Sequence, residues 1–409
     1  MKTRRGLGSQ PKIRRYKKIY NKTPLRPIWI ILFIIGLVGV FFLSWSLYQP
    51  IMDFFSGSLG SSSEEESTDE SLHLSETEPS SSRSEPEYVP LPEGGPEDSI
   101  RAVYMPVAFL YDSGRLNDFM QFLETNALNY IMLDIKTPEG YVTYASSLAS
   151  LRSSAAMTED AITNMADAVS LLHAQGIGVI ARISVFRDPI GSRSDYDRAV
   201  HYLGSNLFWL DDSKENGGKT WLNPCSPKAR NYVLDIAEEV AAMGFDSIIF
   251  DELRFPGRLG SDYTDYGVPV SEDTKADYLS VFVSEALERL GGYGTQIYFG
   301  SPAVDSISGD VFPYGVQPVR IAKEGYAPTL YPSEFDGSLT ARKAVETQLR
   351  RLADYISPDT DGALAFLPIL QAFGGYGADE ISQQIEALAE SGYYSYILFA
   401  PDGEYSLAG

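Results

Sequence analysis

The chain has 409 residues, 44% apolar and 22% charged, with 35 Gly, 24 Pro, one Cys and three His. Such a composition belongs to a globular protein with room for one large domain and additional segments. The single Cys excludes a disulfide framework or a thiolate metal cluster, and three His leave little for zinc chemistry. The formal charge of −22 is spread unevenly.

Residues 1–27 carry ten Lys or Arg and no acid, and read as a basic cytoplasmic tail. Residues 28–48 (IWIILFIIGLVGVFFLSWSLY) carry no charge and supply 21 residues. A helix needs ~20 to cross a bilayer core. Trp29, Trp45 and Tyr48 fall near the ends of this run, where amphipathic rings prefer the interface. The run is too long for a signal-peptide h-region, and Tyr48-Gln49-Pro50 is a poor cleavage site. We therefore expect a signal anchor, with the N-terminus in the cytoplasm and the rest of the chain outside the cell membrane. That orientation accounts for the basic tail, so no nucleic-acid partner is expected.

Residues 49–98 form a Ser/Glu/Pro-rich linker. Within it, 53–98 hold thirteen acids against Arg83 alone. With so few large apolar residues it cannot offset its own ordering entropy, and it reads as a disordered, self-repelling tether. His73 lies in it and is incidental.

From residue 99 to 409, apolar runs alternate with amphipathic ones, the pattern of a parallel α/β protein. Strands are expected at 101–110, 129–135, 178–186, 246–252, 296–301, 326–331, 363–371 and 395–400. Helices are expected near 114–127, 158–175, 227–243, 272–290, 339–356 and 378–391. Gly176, Gly244 and Gly392 stand where helices end on a left-handed residue. Eight strands point to a (β/α)8 TIM barrel, because a doubly wound sheet usually has five or six. Only PDGEYSLAG follows the last strand, so the eighth helix is short or absent. The longest excursion, 187–226, follows strand three.

Barrel active sites lie at the C-terminal strand ends. There the sequence places Asp134 and Lys136 (strand two), Arg182, Arg187 and Asp188 (strand three), and Asp251, Glu252 and Arg254 (strand four). Asp305, Tyr331 with Glu334, Gln371, and Asp402 with Glu404 follow on strands five to eight. A rim of carboxylates, Arg and Tyr without His suits hydrolysis by a carboxylate pair, which needs neither metal nor cofactor. Asp251 closes an apolar strand, where a carboxylate is costly unless paired or functional, and Arg182 or Arg254 could pair with it. Asp134 holds the equivalent place on strand two, with Lys136 as a structural partner. Glu334 and Asp305 lie on loops. Glu252 should point away from Asp251 by strand alternation. Trp209, Trp221, Tyr331, Phe255 and Tyr376 could stack on sugars. His173, at a helix C-terminus, His201 and Cys225 read as bystanders.

The run WLNPCSPKARNYVLDIAEEVAAMGFDSIIFDELRFPG (Trp221–Gly257) resembles a bacterial family of glycoside-hydrolase-like barrels, a domain-of-unknown-function family. Other ordered matches accompany it. They are the D-x-K…G of Asp134, Lys136 and Gly140, the A-R-x-x-x-F-x-D of Ala181, Arg182, Phe186 and Asp188, Tyr331-Pro332-Ser333, and the P-x-L-Q-x-F of Pro368, Leu370, Gln371 and Phe373. The similarity spans about 101 to 405 and implies a (β/α)8 barrel with carbohydrate-directed hydrolysis. Three positions depart from the family pattern: Glu252 replaces a Tyr, Glu334 a His and Ile369 a Trp.

The resulting expectation is a membrane-anchored, outward-facing glycoside hydrolase acting on envelope or environmental glycans. Asp251 serves as nucleophile or transition-state stabiliser and Glu334 as acid/base, with Asp305 and Asp134 as further catalytic candidates. Arg182, Arg254, Trp221, Tyr331 and Gln371 are expected to bind substrate. No metal, cofactor or protein partner is expected. An acidic domain favours neutral or amino-sugar chains over anionic polymers. The alternative is a non-catalytic glycan-binding barrel. Metal-dependent deacetylation would need a His/Asp cluster that the domain does not offer.

Overall fold

The barrel strands are short runs, mostly apolar at their centres and buried on both faces there, as parallel strands covered by helices must be. The computed structural model of the chain describes residues 98–407 apart from 155 and 357–363. The expected basic tail and membrane span, and all of the expected linker but its last residue, lie outside the described residues. Among the described residues, no helix is long and apolar enough to cross a membrane.

Eight strands form the barrel: β1 (Arg101–Tyr104), β2 (Tyr130–Lys136), β3 (Gly178–Ser184) and β4 (Ser247–Asp251), then β5 (Gln296–Pro302), β6 (Gly325–Thr329), β7 (Ile369–Gln371) and β8 (Tyr396–Phe399). Every neighbouring pair is parallel and in chain order, and β1 pairs with both β2 and β8, which closes the sheet. The main helices are α1 (Ser113–Thr125), α2 (Met165–Ala174), α3 (Pro189–Ser194), α4 (Pro227–Ala242), α5 (Glu272–Leu290), α6 (Ala341–Ala353) and α7 (Ala378–Glu390). No helix follows β8 among the described residues.

Helix starts follow from local chemistry. Ser226 caps α4 ahead of Pro227, Ser271 and Thr274 form a capping box on α5, and the Thr340 hydroxyl accepts from the Lys343 N–H on α6. Gly176, Gly244 and Gly392 take φ of 77°, 91° and 84°, as expected of left-handed caps.

Three boundaries differ from expectation. The first strand stops at Tyr104, because the chain turns at Pro106 into a 3₁₀ turn over Val107–Tyr111. The seventh run divides around Leu367-Pro368 into Ala365–Phe366 and β7, since proline cannot donate to a ladder. Residues Met157–Ile162, expected as the start of a helix, form a strand paired with Val142–Tyr144, which extends the sheet beyond β2. The apolar spacing of 158–175 fits a helix only from Met165.

Two cores result. One lies between the strands and the helices. The other fills the barrel with Ala102, Tyr104, Met132, Ile180, Ile249, Tyr298, Ala327, Tyr331, Leu367, Ile369 and Ile397. Side chains two residues apart share a face of a strand. Asp134, Arg182 and Asp251 therefore stand one layer above Met132, Ile180 and Ile249, at the C-terminal mouth.

Candidate active site

Strand register brings the charged residues of that top layer together. Asp134 is paired with Arg182 across β2 and β3. The guanidinium grips the carboxylate at both ends, with Nε 2.5 Å from Oδ1 and Nη2 2.8 Å from Oδ2. Aromatic rings support it: Arg182 lies 4.7 Å from the Phe399 centroid and 5.6 Å from that of Tyr104. Burial and the neighbouring Asp134 carboxylate push the Tyr104 phenol's pKa up, against the pull of Arg182. Lys136, expected to partner Asp134, instead reaches Asp188 at 2.9 Å, and both side chains are fully buried. Lys136 also donates to the Ser184 carbonyl at 2.6 Å. Asp188 in turn accepts from the Ile190 and Gly191 amides at the start of α3. Gly140 is obligatory beside it, because a Cβ there would stand 2.2 Å from Asp188 Oδ1, at a φ of +88°. The D-x-K…G and A-R-x-x-x-F-x-D segments are thus two halves of one device, two ion pairs that tie β2 to β3 and to the α3 loop.

Asp251 has no ion-pair partner within 4 Å among the described residues, although Arg182 acts on it electrostatically. Burial pushes its carboxyl above the usual range. The Arg182 charge opposes that shift, the Glu252 charge adds to it, and the Glu252 N–H, donating to Oδ1 at 2.8 Å, favours the anion. Neither Arg182 nor Arg254 forms the direct pair with Asp251 that the sequence suggested. Arg182 is committed to Asp134, and Arg254 to Glu252 at 2.6 Å. Gly300 on β5 lies beside Asp251: a Cβ there would crowd Ile249 Cγ2 at 3.2 Å and touch Asp251 Oδ1 at 3.6 Å.

Across the mouth, Tyr331 ends the β6 connection and packs edge-on against Phe373 at 5.3 Å. Burial raises the pKa of its hydroxyl, as it does for Tyr104, so both phenols stay protonated donors. Glu334 lies in the short helix Pro332–Phe335 and is exposed at the rim. Partial desolvation of its carboxyl and the nearby Asp305 charge push its pKa up. Asp305, on the helix Ala303–Ile307, accepts from the Tyr314 hydroxyl at 2.9 Å. Burial raises its pKa, against the pull of that hydrogen bond and of Arg254. Neither acid has a cationic partner within 4 Å among the described residues.

The remaining expected residues serve the walls. Gln371 is 1% exposed, and its side chain accepts from the Ser333 amide and donates to the Phe373 carbonyl. Trp221 is buried, donates to Asp211 at 2.9 Å and carries the Arg254 guanidinium 4.9 Å from its ring. Trp209 and Phe255 are buried as well, with no face open to a sugar; Tyr376 is half-buried. Glu252 turns back over Arg254. His173 pairs with Asp246 at 2.9 Å, His201 stacks between Tyr196 and Phe208, and burial pushes the Cys225 thiol up to about 12. No cluster of His, Cys, Asp and Glu suited to a metal ion occurs among the described residues. Sequence reasoning missed Tyr104 and Tyr314. The first was hidden by extending the strand past its mouth, and the second sits on a loop with no periodic signal.

Residues 102–405 match a family described as "putative glycosyl hydrolase domain". The chain belongs to this family. No curated protein matches it. Among solved structures, the PgaB (BpsB) glycoside hydrolase domain from Bordetella bronchiseptica is similar over 75% of this chain and 95% of that one, with 16% identity and a TM-score of 0.56. That likeness agrees with the closed barrel. A hypothetical protein from Ruminiclostridium thermocellum is 26% identical over 48% of this chain and 96% of its own, with a TM-score of 0.41. The family resemblance read from the sequence and the barrel it implied are therefore both found.

Proposed function

We propose that the chain is a membrane-tethered, outward-facing glycoside hydrolase that cleaves an O-glycosidic bond in an envelope or environmental glycan. The observation that carries this reading is a pair of carboxyl groups in unlike surroundings at one barrel mouth. Asp251, whose pKa burial raises, has Arg182 and an amide N–H that favour its anion. Glu334 has partial desolvation and the Asp305 charge, both of which favour its proton, and no cation within 4 Å among the described residues. Both groups are raised, but only Asp251 has a cation and an amide N–H aimed at its anion, and a difference of that kind assigns the base to Asp251 and the acid to Glu334.

In the proposed course, Glu334 gives its proton to the glycosidic oxygen as the C–O bond breaks, so the leaving sugar departs as an alcohol. Asp251 either bonds to the anomeric carbon, forming a glycosyl ester that water then hydrolyses with Glu334 as base, or takes a proton from the attacking water. Carboxyl groups ~5–5.5 Å apart in the substrate complex correspond to retention, and ~6.5–9.5 Å to inversion. Asp134 holds Arg182 in place, and Tyr104 and Tyr331 offer neutral hydroxyls to the sugar. The uncharged run 28–48 and the basic tail before it support the tether, and the acidic domain favours neutral or amino-sugar chains.

The test is release of new reducing ends from a pool of envelope glycans and neutral polysaccharides by the full-length chain in detergent. Asp251→Asn should abolish turnover with folding intact, and Glu334→Gln should lower it by about 10²–10⁴-fold. Unchanged turnover in Asp251→Asn overturns the site. Glycan binding without cleavage by any form would make the barrel a recognition module.

A further inference from the structure

Glu252 stands out among the described residues as a non-glycine, together with Ala127, at positive φ. Its φ of 52° is left-handed backbone, which costs an L-residue free energy unless its surroundings hold it. The surroundings do so: Arg187 Nη1 lies 3.1 Å from one carboxylate oxygen and Arg254 Nε 2.6 Å from the other. The conformation has a local consequence. The β4–β5 ladder ends at the Phe250–Phe299 pair, while on the other side β4 stays paired with β3 to Asp251, whose carbonyl accepts from Val185 N–H at 2.8 Å. The left-handed turn peels the chain away from β5 just where the next amide would seek a strand partner. That amide, the Glu252 N–H, instead meets the Asp251 carboxylate at 2.8 Å.

We propose that Glu252 is a positioning residue: the Arg187–Glu252–Arg254 clasp locks a left-handed turn that presents the Glu252 backbone N–H to the Asp251 carboxylate. The side chain has no need to touch substrate. An amide fixed in place before reaction stabilises a charged group without reorganising during it. The role rests on the reading of Asp251 as the site carboxylate, but its test does not require turnover.

The test compares Glu252→Ala with Glu252→Gly in the full-length chain, reading the Asp251 carboxyl titration by carbon-13 NMR, with Asp251→Asn identifying the signal. Both variants remove the same negative charge, so its effect on Asp251 cancels between them. Glycine accepts φ near 52° at no steric cost, whereas alanine is strained there and, without a clasp to hold the turn, relaxes away more readily. Asp251 should therefore titrate about one pH unit higher in Glu252→Ala than in Glu252→Gly, the equivalent of one hydrogen bond to a charged group. Glu252→Gln, which keeps a side-chain acceptor for one arginine, should fall between them. Coincident titrations in the Ala and Gly variants would overturn the proposal, whatever the outcome of glycan assays. Conversely, active Asp251→Asn protein would overturn the catalytic reading and leave the titration result standing.

Discussion

The pair Lys136–Asp188 offers a test of the barrel's construction that needs no substrate. Both side chains are 0% exposed and 2.9 Å apart, so removing either charge leaves the other buried without its counter-charge. Breaking such a pair costs about 3–5 kcal/mol. The two single variants should differ. In Lys136→Met, Asp188 keeps the Ile190 and Gly191 amides, and the loss should sit near the lower figure. In Asp188→Asn, Lys136 keeps only the Ser184 carbonyl, and the loss should sit near the upper. The double variant buries no net charge and should lose less than the sum of the singles, by about 1–3 kcal/mol. Urea unfolding at pH 7, followed by circular dichroism, reads each difference from the midpoint and slope. Losses under about 1 kcal/mol in both singles, or simple additivity in the double, would refute the argument that this pair is a buried, mutually dependent unit.

The raised pKa of Glu334 and the ionised role of Asp251 predict a bell-shaped pH–activity curve. Its alkaline limb should disappear in Glu334→Gln, as judged from residual turnover across pH 4–9. Folded Asp305 and Glu334 hold their protons more tightly than the unfolded chain does, so the native state loses stability as pH rises through their folded values. Asp305→Asn should therefore raise the melting temperature relative to wild type at pH 7 and leave it little changed at pH 3, where both forms carry the proton; the opposite order would contradict that sign. Gly300→Ala should lower turnover without unfolding, because the new Cβ would stand 3.6 Å from Asp251 Oδ1 and 3.2 Å from Ile249 Cγ2. Gly140→Ala should destabilise by several-fold more than an ordinary surface change of about 0.5 kcal/mol, through its contact with Asp188 and its positive φ.

Much of this architecture is legible in the sequence, because a barrel strand declares itself locally. The runs NYIMLDI and DSIIFDE have unbroken apolar centres (Tyr130–Leu133 and Ile248–Phe250), bounded by helix-like spacing, and the structure places β2 and β4 within a residue or two of them. The layering of Asp134, Arg182 and Asp251 follows from the two-residue period alone. Partner choice does not. Asp134 and Lys136 are neighbours in sequence, yet each pairs across to β3 or its loop, because strand register and a shift between Asp134 and Lys136 decide which side chains meet. Glu252 was expected to face away from Asp251 by alternation, but alternation ends where φ changes sign. The parallel pairing of Val142–Tyr144 with Met157–Ile162 is illegible for a related reason. Three paired residues and a polar partner strand carry too little periodicity to outweigh the helix that follows.

Among the described residues no helix follows β8, and Tyr405 packs at the seam between β8 and β1. Its ring stacks on Phe122 of α1 at 5.5 Å, and its hydroxyl donates to the Tyr104 carbonyl at 2.6 Å, with the Leu398 carbonyl 3.2 Å away. One phenol thus bolts the last strand to the first, and the bolt sits on the residue whose side chain touches the Asp134–Arg182 clamp. Looseness at the tail of this chain would travel a single residue before it reached the carboxylates. The turn that carries Tyr405 is consequently a fastening for the barrel's mouth, and changes at Tyr405 should be felt there before they are felt in the core.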